Sequence, residues 1–296
     1  MGNKRKKVLL LGNGVNRIDN DYSWTQLMYD LLDFVQLRGE IELGDKPFPL
    51  LYEEIYLRWS QQDQHPESGM KKQISGLMKN IKSNALHRKA MKLDVDEIMT
   101  TNYDYNLEAV TAEGPRGVKH EILVKSSKYP LTRTKIAGGK TIWHIHGEGY
   151  APGTILLGYE QYAGYLQTIR NYMISGLRFK NVTFAPLNRR LREGNTEVLT
   201  WVDHFFMSDI YILGLNMDFV EIHLWWLINF RARLQKDDRY TFENKITYIY
   251  PSAETEWIKP RIDLLCACGI HCIALPVVDN DWKEMYRLAL EMVERA

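Results

Sequence analysis

KVLLLGNG, Lys7 to Gly14, sets the architecture expected of this chain. From Lys7 to Gly12 it is a short continuous apolar run, without the alternation of a half-wet strand, which is the pattern of a strand covered on both faces. The GNG turn, Gly12 to Gly14, then lets the backbone bend sharply and approach a charged group. Two later runs end in a similar way: Val95 to Thr100 leads into TTNYD, Thr100 to Asp104, and Thr141 to Ile145 leads into HIHG, His144 to Gly147. In an open parallel sheet the carboxyl ends of the strands face one crevice, so polar clusters spread over roughly 130 positions converge there.

Outward from these motifs, strands and helices alternate. Ser23 is a candidate N-cap for a helix to about Phe34, whose Trp24, Leu27, Met28, Leu31 and Leu32 recur at helical spacing. Helices are predicted over 50–59, 70–82 and 85–91, so roughly 75 residues separate the first two strands, far more than an ordinary crossover. That excess implies a helical layer over the sheet edge. A strand over 95–100, a helix over 105–110 and a strand over 141–145 follow. Next come helices over 160–177 and 197–206, a strand over 209–213 and a helix over 219–234, FVEIHLWWLINFRARL. Trp225 and Trp226 read as core. This greasy helix and the Tyr-rich stretch Tyr159 to Tyr172, with Tyr162 and Tyr165, are also where self-association is expected. Strands over 245–250 and 272–275 and a helix over 282–293 close the chain. The reading is a single α/β domain, 1–296, with a Rossmann-like, mostly parallel sheet and helices on both faces. Its sheet core covers 5–18, 94–158 and 207–296, with helical insertions over 20–93 and 159–206.

With 38 basic and 37 acidic residues among 296, the net charge of +1 provides no overall field for a nucleic-acid backbone, and no direct nucleic-acid binding is expected. Lys4, Arg5, Lys6 and Lys7 read as a solvated flank, and a loop with Arg189, Arg190 and Arg192 is a second basic cluster that could touch a partner or phosphate. No apolar run reaches the ~20 residues of a membrane span and no signal peptide opens the chain, so a soluble, cytoplasmic protein is expected. Cys266, Cys268 and Cys272 crowd one strand-and-turn segment, CACGIHC. No second cysteine pair accompanies them, so they read as buried thiols and no metal is expected.

Singly, the motifs have ordinary explanations. GNG departs from G-x-G-x-x-G because Arg17 stands at the third glycine position, which argues against a dehydrogenase fingerprint. Asn13 and Asn16 can donate amide hydrogens to phosphate or ribose oxygens, or simply make a turn. Thr101, Asn102 and Asp104 follow a strand and begin a helix, where an N-cap and a favourable acidic residue are common. His144 and His146 are expected on opposite faces, so that only one looks into the cleft.

In combination and in order, the motifs resemble the sirtuin family, specifically its bacterial branch without a zinc ribbon. The resemblance rests on Gly12 and Gly14, on Thr100, Asn102 and Asp104, on His146 with Gly147, and on LGLNMD, Leu213 to Asp218, in the place of the family's Gly-x-Ser turn. The chain departs from the deacylating members: no cysteine precedes Cys266, Asn13 and Asn16 replace an alanine and a serine, Thr101 replaces a glutamine, and the Gly-Ile-Pro-Asp-Phe-Arg loop is missing from Arg17 to Tyr22. These departures are similar to sirtuin-related proteins that hydrolyse NAD, many of them effectors of bacterial defence against phage.

The resemblance therefore implies an NAD glycohydrolase, with NAD as substrate and no zinc. It implies that Asn102 positions water and the nicotinamide ribose, that His146 accepts a proton, and that Asp104 accepts the carboxamide hydrogens. Gly12, Asn13, Gly14 and Asn16 would hold the diphosphate, with Thr101 and Gly147 beside the cofactor, and Gly214, Asn216 and Asp218 would border the adenosine half. The alternatives are an ADP-ribosyltransferase or deacylase, and a non-catalytic NAD or ADP-ribose sensor. Self-association and a companion on a separate chain, a helicase-like ATPase, an Argonaute or a sensor, are further implications.

Overall fold

Strand β1, Lys7–Leu11, is buried along its whole length, and the alternation of its side chains explains why. Val8 and Leu10 enter one apolar cluster with Met99, Trp143, Ile210, Ile212 and Tyr248, while Leu9 and Leu11 enter another with Ile98, Ile142, Leu213 and Ile249. A strand apolar on both sides is stable only between two layers. The computed structural model describes residues 5–19, 22–63, 65–112, 114, 119–122, 128–129, 131–179 and 182–296. Among them β1 lies inside an eight-stranded sheet of order β10-β9-β8-β1-β2-β5-β4-β3. The other strands are β2 (Glu97–Thr100), β3 (Lys119–Ile122), β4 (Arg133–Ala137), β5 (Lys140–His144), β8 (Asp209–Leu213), β9 (Ile246–Pro251) and β10 (His271–Leu275). From β10 through β5 all neighbours are parallel; β4 and β3 continue the sheet antiparallel.

The helices are α1 (Trp24–Phe34), α2 (Phe48–Asp63), α3 (Glu67–Met78), α4 (Ala85–Lys92), α5 (Asn106–Ala109), α6 (Tyr159–Ile174), α7 (Leu187–Arg192), α8 (His204–Met207), α9 (Ile222–Leu234), α10 (Thr255–Ala267) and α11 (Trp282–Arg295). One face of the sheet is covered by α6, α9 and α10, the other by α4 and α11. The mostly parallel Rossmann-like architecture read from the sequence is the one observed.

Several expectations need correcting. Helices α1, α2 and α3 build an apolar cluster with Tyr103, Ile155 and Leu157, residues that follow β2 and β5. They cap the carboxyl ends of central strands instead of lying over a sheet edge. Trp24 meets Tyr103 edge to face at 5.5 Å, and the Tyr103 hydroxyl donates to the Leu156 carbonyl. The β3–β4 extension had no counterpart in the sequence reading, although Gly138 and Gly139, both at positive φ between β4 and β5, make the two-residue turn such a hairpin requires. A second hairpin, β6 (Leu177–Phe179) with β7 (Val182–Phe184), was likewise unread.

Helix α10 was missed because Pro260 interrupts its pattern, and the cysteines are therefore not on one strand and turn. Cys266 is exposed on α10, Cys268 is buried at its end, and Cys272 is half-buried on β10. The arginine cluster is helix α7 and not a loop, with Arg190 buried against Asp203 at 3.0 Å. Nor are the N-terminal cations simply solvated: Lys6 pairs with the buried Glu97 at 2.7 Å, and buried Lys7 donates to the Val293 carbonyl. Lys4 lies outside the described residues. Tyr162, Tyr165 and Tyr172 are buried where α6 packs on α9, while Trp226 is half-buried and stacks on Phe230. Among the described residues no helix is long and apolar enough to cross a membrane.

Candidate functional site

The chain runs from β1 to β2 on one side and later returns to β8 on the other, so strand order reverses around β1. Crevices at such reversals are where ligands bind in open α/β sheets. A cavity of about 910 Å³ lies there, lined by Asn13, Gly14 and Arg17 after β1, by Gly214 to Asp218 after β8, and by Thr101, Tyr162, Glu221, Tyr248 and Tyr286. Two glycine turns meet at its base. The Gly12 and Gly14 amides donate to the Leu213 and Gly214 carbonyls, each at 2.9 Å. A Cβ on Gly12 would collide with the Gly214 carbonyl oxygen, and one on Gly14 would press on Gly214 Cα, itself at φ +69°. The glycines are thus required by close backbone approach, and the resulting turn is a short 3-10 segment, Asn13–Val15, not the start of a long helix.

Behind that turn lies a buried amide network. Asn16 donates to Asn13 Oδ1 at 2.9 Å and to Asp104 Oδ2 at 2.8 Å, and its own oxygen accepts from Asn106 at 3.2 Å. Nδ1 of His87 accepts from the Asn84 amide, which leaves its Nε2 to donate to Asn16 Oδ1 at 2.9 Å. Burial, followed by the charge of Arg88, pushes the His87 imidazole down to about 4, so it is neutral in this role. Both amide hydrogens of Asn16 are therefore committed to protein groups, and the expected donation to a diphosphate has no hydrogen left to use. Asp104 accepts from the Asn106 amide as well, yet burial outweighs these bonds and holds its carboxyl above the ordinary range. Asn102 differs from both. Its nitrogen approaches the Gly12 carbonyl at 3.4 Å, while its buried Oδ1 has no partner.

Gly147, at φ +90°, turns the chain after β5, where a Cβ would strike the Thr154 carbonyl. The two histidines before it do have different surroundings, but strand alternation is not the reason, because residues two apart on a strand share a face. They part because β5 ends at His144. His144 sits between Glu108 Oε1 at 2.8 Å and the Asn102 carbonyl at 3.0 Å. Burial opposes its charge, but the Glu108 carboxylate prevails and raises its pKa. Protonated, it donates from both nitrogens and pins the backbone at Asn102. His146, also buried, has Nε2 3.0 Å from His223 Nε2 and 3.2 Å from Glu221 Oε2. Burial, and then His146, hold the His223 imidazole well below its usual value.

Of the residues singled out in the sequence, Asn13, Gly14, Thr101, Gly214, Asn216 and Asp218 line the large cavity. Asn102 and Asp104 line a small recess that shares Asn13, Ser23 and Trp24 with it. Gly12, Asn16, His146 and Gly147 line neither; His146 stands behind Glu221 and Tyr162, which do. Sequence reasoning missed Glu221 and His223, which were hidden inside a stretch read only as a greasy helix. It also missed Arg261, which holds Asn216 at 3.0 Å and Asp218 at 3.3 Å from the unread α10.

A comparison with curated proteins gives no match. A family model described as a SIR2-like domain matches residues 96–195, a stretch that contains both Thr100 to Asp104 and His144 to Gly147. Over that stretch the chain is similar to the SIR2-like domain, which supports a sirtuin-like family for this Rossmann-like fold.

Proposed function

We propose that this protein is an NAD glycohydrolase that cleaves NAD to nicotinamide and ADP-ribose. The observation that carries the reading is the unpartnered, buried Asn102 Oδ1 beside the paired glycine turns, at the switch point of the sheet. A buried amide oxygen without a partner costs free energy unless a ligand or water satisfies it. The similarity to a SIR2-like domain fits an NAD-related activity.

The bond to be broken joins the ribose to a cationic pyridinium that leaves as a neutral base, so no acid is needed at the leaving group. The task is to stabilise an oxocarbenium-like ribose and to deliver water, which is a matter of charge and positioning. On this reading Asn102 orients the water and the nicotinamide ribose, and His146 accepts the proton through the Glu221 side of the cavity wall. The glycine turns leave room for the diphosphate beside Asn13, Gly14 and Gly214 on the cavity wall, their own Gly12 and Gly14 amides being bonded across the turns, and Asp104 meets the carboxamide. The biological setting that agrees with this chemistry is defence against phage by NAD depletion, in an oligomer whose basal activity a companion chain raises.

Incubation of the purified protein with NAD should release nicotinamide. Asn102→Ala and His146→Ala should each lower the rate by about a hundredfold or more, roughly 2–4 kcal/mol of barrier. Full activity in both variants would refute the site. Tight calorimetric binding of NAD or ADP-ribose without product would favour a sensor, and transfer of label from NAD to protein would favour an ADP-ribosyltransferase.

A further inference from the structure

We propose that His146, Glu221 and His223 form a binding site for a divalent metal ion of the zinc class. Their ligand atoms lie within 4.8 Å of one another, the only such group of three or more found among the described residues. Both imidazoles are buried, and Glu221 reaches the cluster from the cavity wall, its side chain only 12% exposed.

Every arrangement of the imidazole protons leaves one polar atom of the cluster unpaired. If Nε2 of His146 donates to Nε2 of His223, the proton on Nδ1 of His223 has no acceptor; that atom is buried without a partner. If His223 donates instead, the single lone pair of His146 Nε2 is taken by that bond, Nδ1 of His223 is a bare buried lone pair, and no proton lies between His146 Nε2 and Glu221 Oε2 at 3.2 Å. In neither case does Oε2 accept a hydrogen bond from an imidazole. One cation facing the two Nε2 atoms and Oε2 removes the conflict between His146 and its two neighbours, and leaves only the Nδ1–H of His223, 3.9 Å from Glu221 Oε2, without a partner.

The spacing agrees with such an ion. Tetrahedral zinc bonded at 2.0–2.1 Å sets neighbouring ligand atoms about 3.3 Å apart. The observed separations from His146 Nε2, 3.0 and 3.2 Å, need to open by a few tenths of an ångström, while the His223 ring and Glu221 Oε2, 3.9 Å apart at Nδ1, draw closer. Two histidines and a carboxylate leave a fourth position open, and neutral imidazole with carboxylate favours zinc over the harder calcium and magnesium. Tyr162 and Tyr165 pack their rings 5.3 to 6.0 Å from the imidazoles and limit their rotation. This donor set is unrelated to the cysteines of α10 and β10. Where the proposed hydrolysis is correct, an ion held here takes the lone pair of His146 and shuts the proton acceptor off.

Cobalt chloride titrated into the metal-free protein should give one equivalent of visible d–d absorption, without the near-ultraviolet sulfur charge-transfer band that the cysteines would produce, and zinc chloride should displace it. His223→Ala and Glu221→Gln, each checked for native circular dichroism, should weaken cobalt binding at least about a hundredfold. No binding by the wild type, a thiolate band, or unchanged affinity in Glu221→Gln would overturn the site. The readout uses no NAD, so a protein that binds cobalt at these residues but releases no nicotinamide even in its metal-free form would uphold the metal site and refute the hydrolase reading.

Discussion

At Glu97 burial and pairing oppose each other. Burial raises its pKa, but His204 at 3.1 Å, Lys6 at 2.7 Å and the Trp143 indole at 2.6 Å together hold the carboxyl down at about 2. A carboxylate whose folded pKa is depressed stabilises the fold above its unfolded pKa and loses that contribution as pH falls through the folded value. From 4.5 to about 2, this is worth about 3 kcal/mol. The stability deficit of Glu97→Gln in urea unfolding should thus be largest near neutral pH and shrink between pH 4.5 and 2; a constant deficit would contradict the pairing. The same scale separates Asn102 from Asn16. Both are buried amides after strand ends, but one has an oxygen to spare and the other is fully used, a distinction no sequence motif could contain.

Helix α4 shows how an element supports a site it does not enter. Asn84 caps it through the Leu86 and His87 amides and also donates to the Val15 carbonyl at 2.7 Å, while His87 returns a bond to Asn16. Asn84→Ala should cost about 1–2 kcal/mol in chemical unfolding through loss of the cap alone, and more if the bond to Val15 counts separately. Wild-type stability in that variant would show that the helix is anchored elsewhere. The helix was legible from Leu86, Ala90 and Met91, but its connection to the glycine turn was not, because the partners are nearly 70 residues apart in the chain, |i−j| = 69 for Asn84 to Val15. Conversely, α9 was legible as an apolar segment whose length hid the polar pair at its start. Periodicity detects burial, and His223 is buried.

For the molecule as a whole, ligand binding and folding are linked through the cavity, since its walls come from the turns after β1 and β8 and from β9, α1, α2, α6, α10 and α11. A ligand that bridges these elements binds only the folded chain. ADP-ribose at roughly a hundred times its Kd should therefore stabilise the protein by about 3 kcal/mol and raise the thermal midpoint by several degrees. An unchanged midpoint at saturating ADP-ribose would argue that the cavity serves something else.

What the chain determined by itself is local: a β1 apolar on both faces calls for a two-sided parallel sheet, and polar residues just past strand ends belong at its carboxyl edge. Both follow from the two-residue period of a strand and from the cost of leaving apolar surface in water. The tertiary structure alone decided which of those polar groups are spent on each other, that Glu221 and His223 join His146, and that α1 to α3 close over the strand ends. These outcomes depend on distances between residues remote in sequence, which are set by how whole elements pack.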